Sequence, residues 1–229
     1  MLRCSYNHVI CNIGLQALGV PLLAIKLMLL VLQTMSFWLR TAYGVAKKPF
    51  GGTLQKIFMG LGQGNGAAPP AFLALSILMI NAYKEMGNSC VYTSCFTGAV
   101  FVHAVIIYVD DTDLLLCAQD PDAPDEIFFQ AIQKAINDWA MIVMATGGSL
   151  KPSKCHVSVN SYKFRKGRAV LKKTRELPKT TFTVPQKDGP TPPIVLLEPT
   201  EAKKTLGIET STSGCGKIHL QSIREKGLD

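Results

Sequence analysis

The chain has 229 residues, of which 48% are hydrophobic and 17% are charged. This length and apolar content suffice for a domain with a real core, so they exclude general disorder, collagen-like repeats and disulfide scaffolds. The net charge of +8 is uneven, because residues 1–150 carry 8 basic and 9 acidic side chains whereas residues 151–229 carry 16 and 7. Such a field suits a polyanion such as nucleic acid, although a solvated basic tail has the same composition.

The cysteines and the apolar segments indicate a cellular compartment. Seven cysteines without a CxxC pair, several of them inside apolar runs, predict reduced, buried thiols and no structural metal. Because no secretory signal opens the sequence, we expect an intracellular protein of the cytoplasm or nucleus, which is not secreted. The segment 20–39 approaches the length of a membrane span, but Lys26 would cost about 2.5 to 3.5 kcal/mol at the bilayer centre. A core helix is therefore favoured, and no stable membrane association is expected.

Helix signals dominate the amino-terminal residues. The segment 7–17 predicts a short helix, and Pro21 opens a second helix that ends near Thr34. The segments 36–44 and 54–60 flank the sequence KKPFGG, a link typical of paired strands. These signals predict two helices followed by a hairpin.

A glycine-rich loop comes next, GLGQGNGAAPP at residues 60–70, and the apolar segment 71–86 follows it up to Gly87. Proline suits the first turn of a helix because its missing N–H is not needed there. An almost entirely apolar helix surface predicts burial. The loop therefore leads into a buried helix that fixes the position of its backbone amides.

Two strand-like runs, 99–108 and 112–118, are separated by too few residues for anything but a tight turn. We predict a β-hairpin whose turn carries Tyr108, Val109, Asp110 and Asp111. The adjacent carboxylates of Asp110 and Asp111 repel each other, and a divalent cation would relieve that repulsion. Mg²⁺ prefers such oxygen ligands, and an ordinary Asx turn without a metal is the alternative.

The remaining residues predict one long helix and a smaller basic part. Residues 122–125 cap a helix whose apolar side chains recur at helical spacing until Gly147. Beyond it, the basic segment 161–179 predicts a mobile loop, and the runs 194–198 and 204–211 predict a small sheet. The succession of helices and hairpins indicates the α+β class.

Four segments in this order resemble a known family. YVDD at Tyr108 to Asp111 resembles the YxDD signature of reverse transcriptases. LGQGNGAAP at Leu61 to Pro69 resembles their Q-G-x-x-x-S-P loop, with alanine replacing the serine. ATGGSLKPSKC at Ala145 to Cys155 and TLGIE at Thr205 to Glu209 are similar to later elements of non-LTR retroelement enzymes.

This resemblance implies a polymerase palm, an antiparallel sheet backed by helices, over residues 1–158, with a basic loop and a small β-rich extension over residues 159–229. It implies an RNA-directed DNA polymerase, a nucleotidyltransferase with an RNA or DNA template-primer and a dNTP as partners and Mg²⁺ as cofactor. The roles it assigns are metal binding and catalysis for Asp110, which would ligate both metals, and for Asp111, which would support them; nucleotide binding for Tyr6, Gln63, Gly64 and Tyr108; and neutralisation or protonation of pyrophosphate for Lys154 or Lys151. For the two lysines, a solvated basic loop is the alternative.

The family's other essential carboxylate lies in an upstream motif, D-x-x-x-A-[FY]-D, and here MLRCSYN occupies that place. Met1 stands where the metal-binding aspartate belongs, Ser5 replaces the alanine and Asn7 replaces the trailing aspartate, while Tyr6 keeps the aromatic position. A comparable electrostatic contact is worth about 2.7 to 4 kcal/mol. We therefore expect a truncated retroelement fragment that lacks the fingers region and is inactive by itself.

Two alternatives to the polymerase hypothesis remain. One is a nucleic-acid-binding remnant that uses the basic segment 151–179 without catalysis, and its affinity would fall steeply with salt. The other is a small membrane protein anchored by residues 20–39. A palm without fingers exposes apolar surface, so under the polymerase hypothesis we also expect poor solubility or association.

Overall fold

The computed structural model describes residues 8–51, 66, 68–108, 111–120, 122–205 and 208–226. Within these ranges the chain forms five α-helices: α1 (His8–Ala17), α2 (Leu22–Thr34), α3 (Ala68–Glu85), α4 (Asp125–Ala145) and α5 (Lys217–Lys226). The short strands before α4 are β1 (Ser36–Phe37), β2 (Arg40–Thr41), β3 (Gly44–Val45), β4 (Phe50–Gly51), β5 (Cys90–Thr93), β6 (Val100–His103), β7 (Val105–Tyr108) and β8 (Asp111–Leu114). Those after it are β9 (His156–Ser158), β10 (Tyr162–Arg165), β11 (Arg168–Leu171), β12 (Phe182–Thr183), β13 (Pro193–Leu197), β14 (Lys203–Thr205) and β15 (Ile208–Thr210).

The strands form small and mostly antiparallel sheets. The two-stranded pairs are β1–β4, β2–β3, β5–β6, β7–β8, β10–β11 and β14–β15. The largest sheet in the described ranges has the order β12–β13–β9, and its β13–β9 pair is parallel. The predicted α+β class is therefore confirmed.

The predicted helices lie close to the positions that proline, glycine and capping residues in the sequence indicated. The first two predicted helices correspond to α1 and α2, and the apolar segment 71–86 lies within α3 and the turn after it. The predicted capped helix is α4, which ends before Gly147. Proline and glycine at helix ends thus located these elements within about two residues.

The prediction that the chain turns at KKPFGG was wrong. The chain reverses earlier, at residues 42–43, where β2 meets β3, and β1 then pairs with β4. The hydroxyl of Thr41 accepts a hydrogen bond from the Tyr43 N–H at 3.2 Å, which stabilises this tight turn. The second predicted strand, residues 54–60, lies outside the described residues.

The chain separates into two compact units that are discontinuous in sequence. The amino-terminal unit comprises the described parts of residues 2–115 and 138–149, and the carboxyl-terminal unit those of residues 116–137 and 150–229. Helix α4 contributes its first half to the carboxyl-terminal unit and its second half to the amino-terminal unit. The predicted boundary between residues 158 and 159 stays a prediction.

Three helices build the core of the amino-terminal unit. Helix α1 packs closely against α3 at Gly14, which has no side chain. A Cβ at this position would lie only 3.0 Å from the Ala74 carbonyl oxygen. The Cys11 thiol donates a hydrogen bond to the Ala71 carbonyl at 3.6 Å. Helix α2 joins the core by one face only, since Leu23 and Leu27 are exposed. The buried members of this cluster are Cys11, Leu15, Ile25, Leu29, Leu32, Ala71 and Ala74.

The second half of α4 packs on α3 within the same unit. The rings of Tyr83 and Trp139 meet edge to face with centroids 5.5 Å apart. The buried Asn88 side-chain amide donates a hydrogen bond to the Asp138 carboxylate at 2.6 Å. A buried carboxylate that accepts such a bond is far less costly than an unpaired one.

The carboxyl-terminal unit has its own apolar contacts. Phe129 of α4 packs on Phe182 of β12 with ring centroids 5.3 Å apart, and both side chains are buried. The Gln133 side chain exchanges hydrogen bonds with the Thr183 backbone, donating to its carbonyl and accepting from its N–H, both at 3.0 Å. Helix α4 is therefore fixed to the three-stranded sheet by both apolar and polar contacts.

No helix in the described part of the chain combines the length and apolar content that a membrane crossing requires. The segment predicted as a possible anchor contains α2, which has 13 residues. Among the described residues no disulfide joins two cysteines; Cys11 is buried, whereas Cys95 and Cys215 are exposed. The prediction of buried thiols is therefore wrong for the last two.

Candidate functional site

The predicted YVDD hairpin is present as β7 and β8. Its strands are antiparallel, with Val105 opposite Leu114 and Tyr108 opposite Asp111. The Leu115 N–H donates to the Ala104 carbonyl at 2.8 Å and extends the pairing by one step. Tyr108 and Asp111 are therefore held together as the last pair before the two connecting residues.

Alternation along the strands gives the hairpin two different faces. Tyr108, Asp111 and Asp113 lie on one face with Ile106, and all four side chains are exposed. The opposite face is half-buried and carries Val105, Ile107, Thr112 and Leu114. Two carboxylates, two residues apart on β8, are thus on the same solvent-facing side.

Asp113 had not been predicted as a site residue. The sequence did contain the signal, because residues i and i+2 of a strand share a face and Asp113 follows Asp111 at that interval. The adjacent aspartate pair is the more conspicuous pattern and obscures this spacing. Because residues 111–114 form a strand, the carboxylate of Asp113 lies on the same side as that of Asp111.

The described residues fit a magnesium site only in part. Asp111 and Asp113 supply the hard oxygen donors that Mg²⁺ prefers. Among the residues that the structure describes, however, no group of three or more His, Cys, Asp or Glu side chains could hold a metal ion. Asp110, the predicted principal ligand, lies outside the described residues.

The two predicted lysines share one turn of the carboxyl-terminal unit. The Lys154 N–H donates to the Lys151 carbonyl at 2.9 Å, closing a 3₁₀ turn that contains Pro152–Lys154. Both lysine side chains are exposed, one at the extended residue before the turn and one at its last residue. Burial raises the pKa of the adjacent Cys155 thiol, whose Sγ donates to the same carbonyl at 3.3 Å.

The predicted nucleotide-binding residues Tyr6, Gln63 and Gly64 lie outside the described residues. The end of their loop is described, because Gly66 is exposed and α3 begins at Ala68. Pro69 and Pro70 lie in the first turn of α3, where a missing N–H is harmless. The predicted start of a helix directly after the glycine-rich loop is therefore confirmed, but Leu73 is 58% exposed, so the helix is not buried on every side as its apolar surface predicted.

No protein-family model matches the chain, and neither a curated protein nor a solved structure shows significant similarity to it.

Proposed function

We propose that residues 1–158 are the palm of a reverse transcriptase of the non-LTR retroelement type, an RNA-directed DNA polymerase, and that residues 159–229 are its basic, β-rich extension. We further propose that the 229-residue polypeptide does not polymerise by itself. The observation that supports the first proposal is the β7–β8 hairpin, whose two-residue connection carries Asp110 and leaves Tyr108 opposite Asp111 at an exposed tip. A polymerase needs such a tip because substrate phosphates must reach the carboxylates.

In this proposal each group has a chemical task. Bound Mg²⁺ ions would stabilise the attacking 3′-hydroxyl and the leaving pyrophosphate of the dNTP. Asp110 and Asp111 would hold the metal, and the exposed Tyr108 would contact the nucleotide. Lys154, or its neighbour Lys151, would balance the charge of the pyrophosphate or protonate it.

The expected lack of polymerase activity follows from the residue at position 1. Methionine offers no oxygen ligand there, so the 229-residue polypeptide lacks one carboxylate of the family's catalytic pair. A carboxylate that acts mainly in the transition state lowers the barrier by an amount comparable to other preorganised charges, about 2.7 to 4 kcal/mol. Its absence should reduce the rate of nucleotide incorporation by roughly a hundredfold to a thousandfold.

Primer extension with matched variants tests this proposal. Purified wild-type chain, a Met1→Asp variant that carries an added initiator methionine, and the same variant with Asp110→Asn are given a primed RNA template and labelled dNTP. We expect no incorporation by the wild-type chain, and weak magnesium-dependent incorporation by the Met1→Asp variant that Asp110→Asn abolishes, because the substitution restores the carboxylate but not the fingers region. Magnesium-dependent binding of dNTP that is equal in the folded Met1→Asp variant and in its Asp110→Asn partner would contradict the polymerase proposal. Extension by the wild-type chain at a rate comparable to that of the Met1→Asp variant would contradict the inactivity.

The non-catalytic hypothesis makes a different prediction for the same proteins. A simple nucleic-acid-binding chain should hold oligonucleotides equally well with aspartate or asparagine at position 110, and it should incorporate nothing. Its binding should weaken as salt is raised, since cations released from phosphates drive such binding.

A further inference from the structure

The basic segment predicted as a mobile loop is an ordered β-hairpin. Strands β10 and β11 are antiparallel, with Tyr162 opposite Leu171 and Phe164 opposite Ala169. The connecting residues Lys166 and Gly167 both have positive φ, 49° and 73°. Two positive φ angles define the tight turn that matches the twist of paired strands.

The hairpin separates aromatic from basic side chains. Tyr162 and Phe164 lie on one face, whereas Lys163, Arg165 and Arg168 lie on the other. Phe164 is 78% exposed and Tyr162 is 54% exposed. The residue opposite Phe164 is an alanine, which leaves the ring uncovered. The two residues that carry these open rings are thus about 6.8 Å apart along the backbone of one strand.

The hairpin and the residues that follow it are strongly basic. Residues 162–175 contain seven Lys and Arg and no Asp or Glu. Lys172 pairs with Asp125 at 2.5 Å and Lys163 pairs with Glu176, and these two ion pairs fix the hairpin in the carboxyl-terminal unit. The cations that form no ion pair with a described carboxylate are Arg165, Lys166, Arg168, Lys173 and Arg175.

The pKa of one of these cations, Lys163, is lowered. Desolvation comes first among the causes that lower the pKa of the Lys163 ammonium, and the neighbouring charges of Arg165, Arg175, Lys172 and Lys173 come next. Like charges held this close repel one another. A polyanion laid against the hairpin would relieve that repulsion and release its own counterions.

We propose that the β10–β11 hairpin binds single-stranded nucleic acid, with Phe164 and Tyr162 stacking on bases and the cations around the turn contacting phosphates. Single strands offer base faces to aromatic rings, whereas a duplex hides them. No residue of the YVDD hairpin takes part. The inference therefore goes beyond polymerisation, and it can fail or hold independently of that proposal.

Fluorescence anisotropy with labelled oligothymidylate and oligouridylate of about 12 nucleotides, a length within the range that one binding module covers, tests the inference. We expect binding of at least one strand type, and weaker binding of a duplex of the same length. Since stacking on one base is worth a factor of roughly 5 to 150, Phe164→Ala should weaken binding at least about fivefold. Phe164→Trp, which keeps an aromatic ring, should not.

Matched control variants distinguish binding by the hairpin from the loss of an exposed ring or of positive charge elsewhere in the chain. Phe96→Ala removes a phenylalanine that is 95% exposed in the turn between β5 and β6, and binding should not change. Arg165→Gln with Arg168→Gln should lower the salt dependence, by about 0.7 in logarithmic slope for each phosphate that the variant no longer neutralises. Lys47→Gln with Lys48→Gln removes the same charge from another exposed turn and should leave the slope unchanged.

Three results would overturn the inference. One is equal weakening by Phe96→Ala and Phe164→Ala. Another is unchanged binding in every hairpin variant. The third is binding of the hairpin to vesicles that contain anionic lipid, without binding to either oligonucleotide. An Asp110→Asn variant that binds oligonucleotides as tightly as wild type would support the hairpin proposal, and it would do so even if the primer-extension test contradicted the polymerase proposal.

Discussion

Tyr83 is fully buried, yet its hydroxyl has no hydrogen-bond partner among the described residues. Burial, and then the negative charge of Asp138, raises the pKa of this phenol well above its usual range. An unpaired buried hydroxyl costs about 1 to 3 kcal/mol. Tyr83→Phe should therefore raise the free energy of unfolding, by about 1 kcal/mol after partial compensation.

Denaturant unfolding checks this prediction. Tyr83→Ala is the control, because it also removes the ring that packs on Trp139 and should lower the free energy of unfolding by about 3 to 5 kcal/mol. A Tyr83→Phe variant less stable than wild type would show that the hydroxyl has a stabilising partner.

Glu198 gives the second prediction at the residue scale. Its carboxylate accepts hydrogen bonds from the Thr174 hydroxyl and from the Thr174 N–H, the latter at 3.1 Å. These bonds lower the pKa of Glu198 below its ordinary value of 4.5. Since the folded pKa is depressed, the stabilisation is present above pH 4.5 and is lost as the pH falls through the folded pKa.

The measurement is the free energy of unfolding as a function of pH. Glu198→Gln should be less stable than wild type near neutral pH, and the difference should shrink as the pH falls below 4.5. A difference that stays constant over that range would show that ionisation of Glu198 does not stabilise the fold.

At the scale of elements, substitutions in the turn of the β10–β11 hairpin test whether its positive φ angles require glycine. Lys166 adopts φ 49°, which is unfavourable for a side chain with a Cβ, and Gly167 adopts φ 73°. Gly167→Ala should destabilise the protein by about 1 to 2 kcal/mol. Lys166→Asn should raise the melting temperature, because asparagine tolerates this conformation better.

Gly66→Ala is the control for this pair, since Gly66 is exposed, has open space around it and needs no positive φ. It should leave the melting temperature nearly unchanged. Equal destabilisation by both glycine substitutions would contradict the assignment of strain to the turn.

The elements also show what the sequence can predict. Helices α3 and α4 were predictable because proline or acidic residues open them and glycine follows them. The YVDD hairpin was predictable because its two strand-like runs leave no room for a longer connection. The β10–β11 hairpin was missed because its charges suggested a solvated loop, although YKFR and RAVL flank the turn dipeptide Lys166-Gly167 and are strand-like.

The sequence predicted only those features of the site that depend on residues close together in the chain. The opposition of Tyr108 and Asp111 follows from the short connection between them. The exposed position of Asp113 depends on which face of β7–β8 is covered by the rest of the chain, and no local pattern encodes that. Pairing of Lys163 with Glu176 is likewise a matter of tertiary contact.

At the scale of the whole molecule, exposed apolar residues predict association. Leu23, Leu27 and Val31 follow one another at helical spacing on α2 and are 80%, 63% and 50% exposed. Apolar surface of this kind promotes contact between molecules. We expect light scattering to show concentration-dependent association, which a Leu23→Gln and Leu27→Gln double variant should reduce. A wild-type chain that stays monomeric at all concentrations would contradict this expectation.

The central claim is that the YVDD hairpin holds a catalytic metal, and NMR with Mn²⁺ in place of Mg²⁺ tests it most directly. Paramagnetic broadening reports where the ion binds, even when binding is weak and no nucleotide is incorporated. With dNTP present, amide signals of residues 108–113 should broaden first, and Asp110→Asn should remove this effect while signals elsewhere stay unchanged. Broadening that avoids these residues, or that persists unchanged in Asp110→Asn, would contradict the claim.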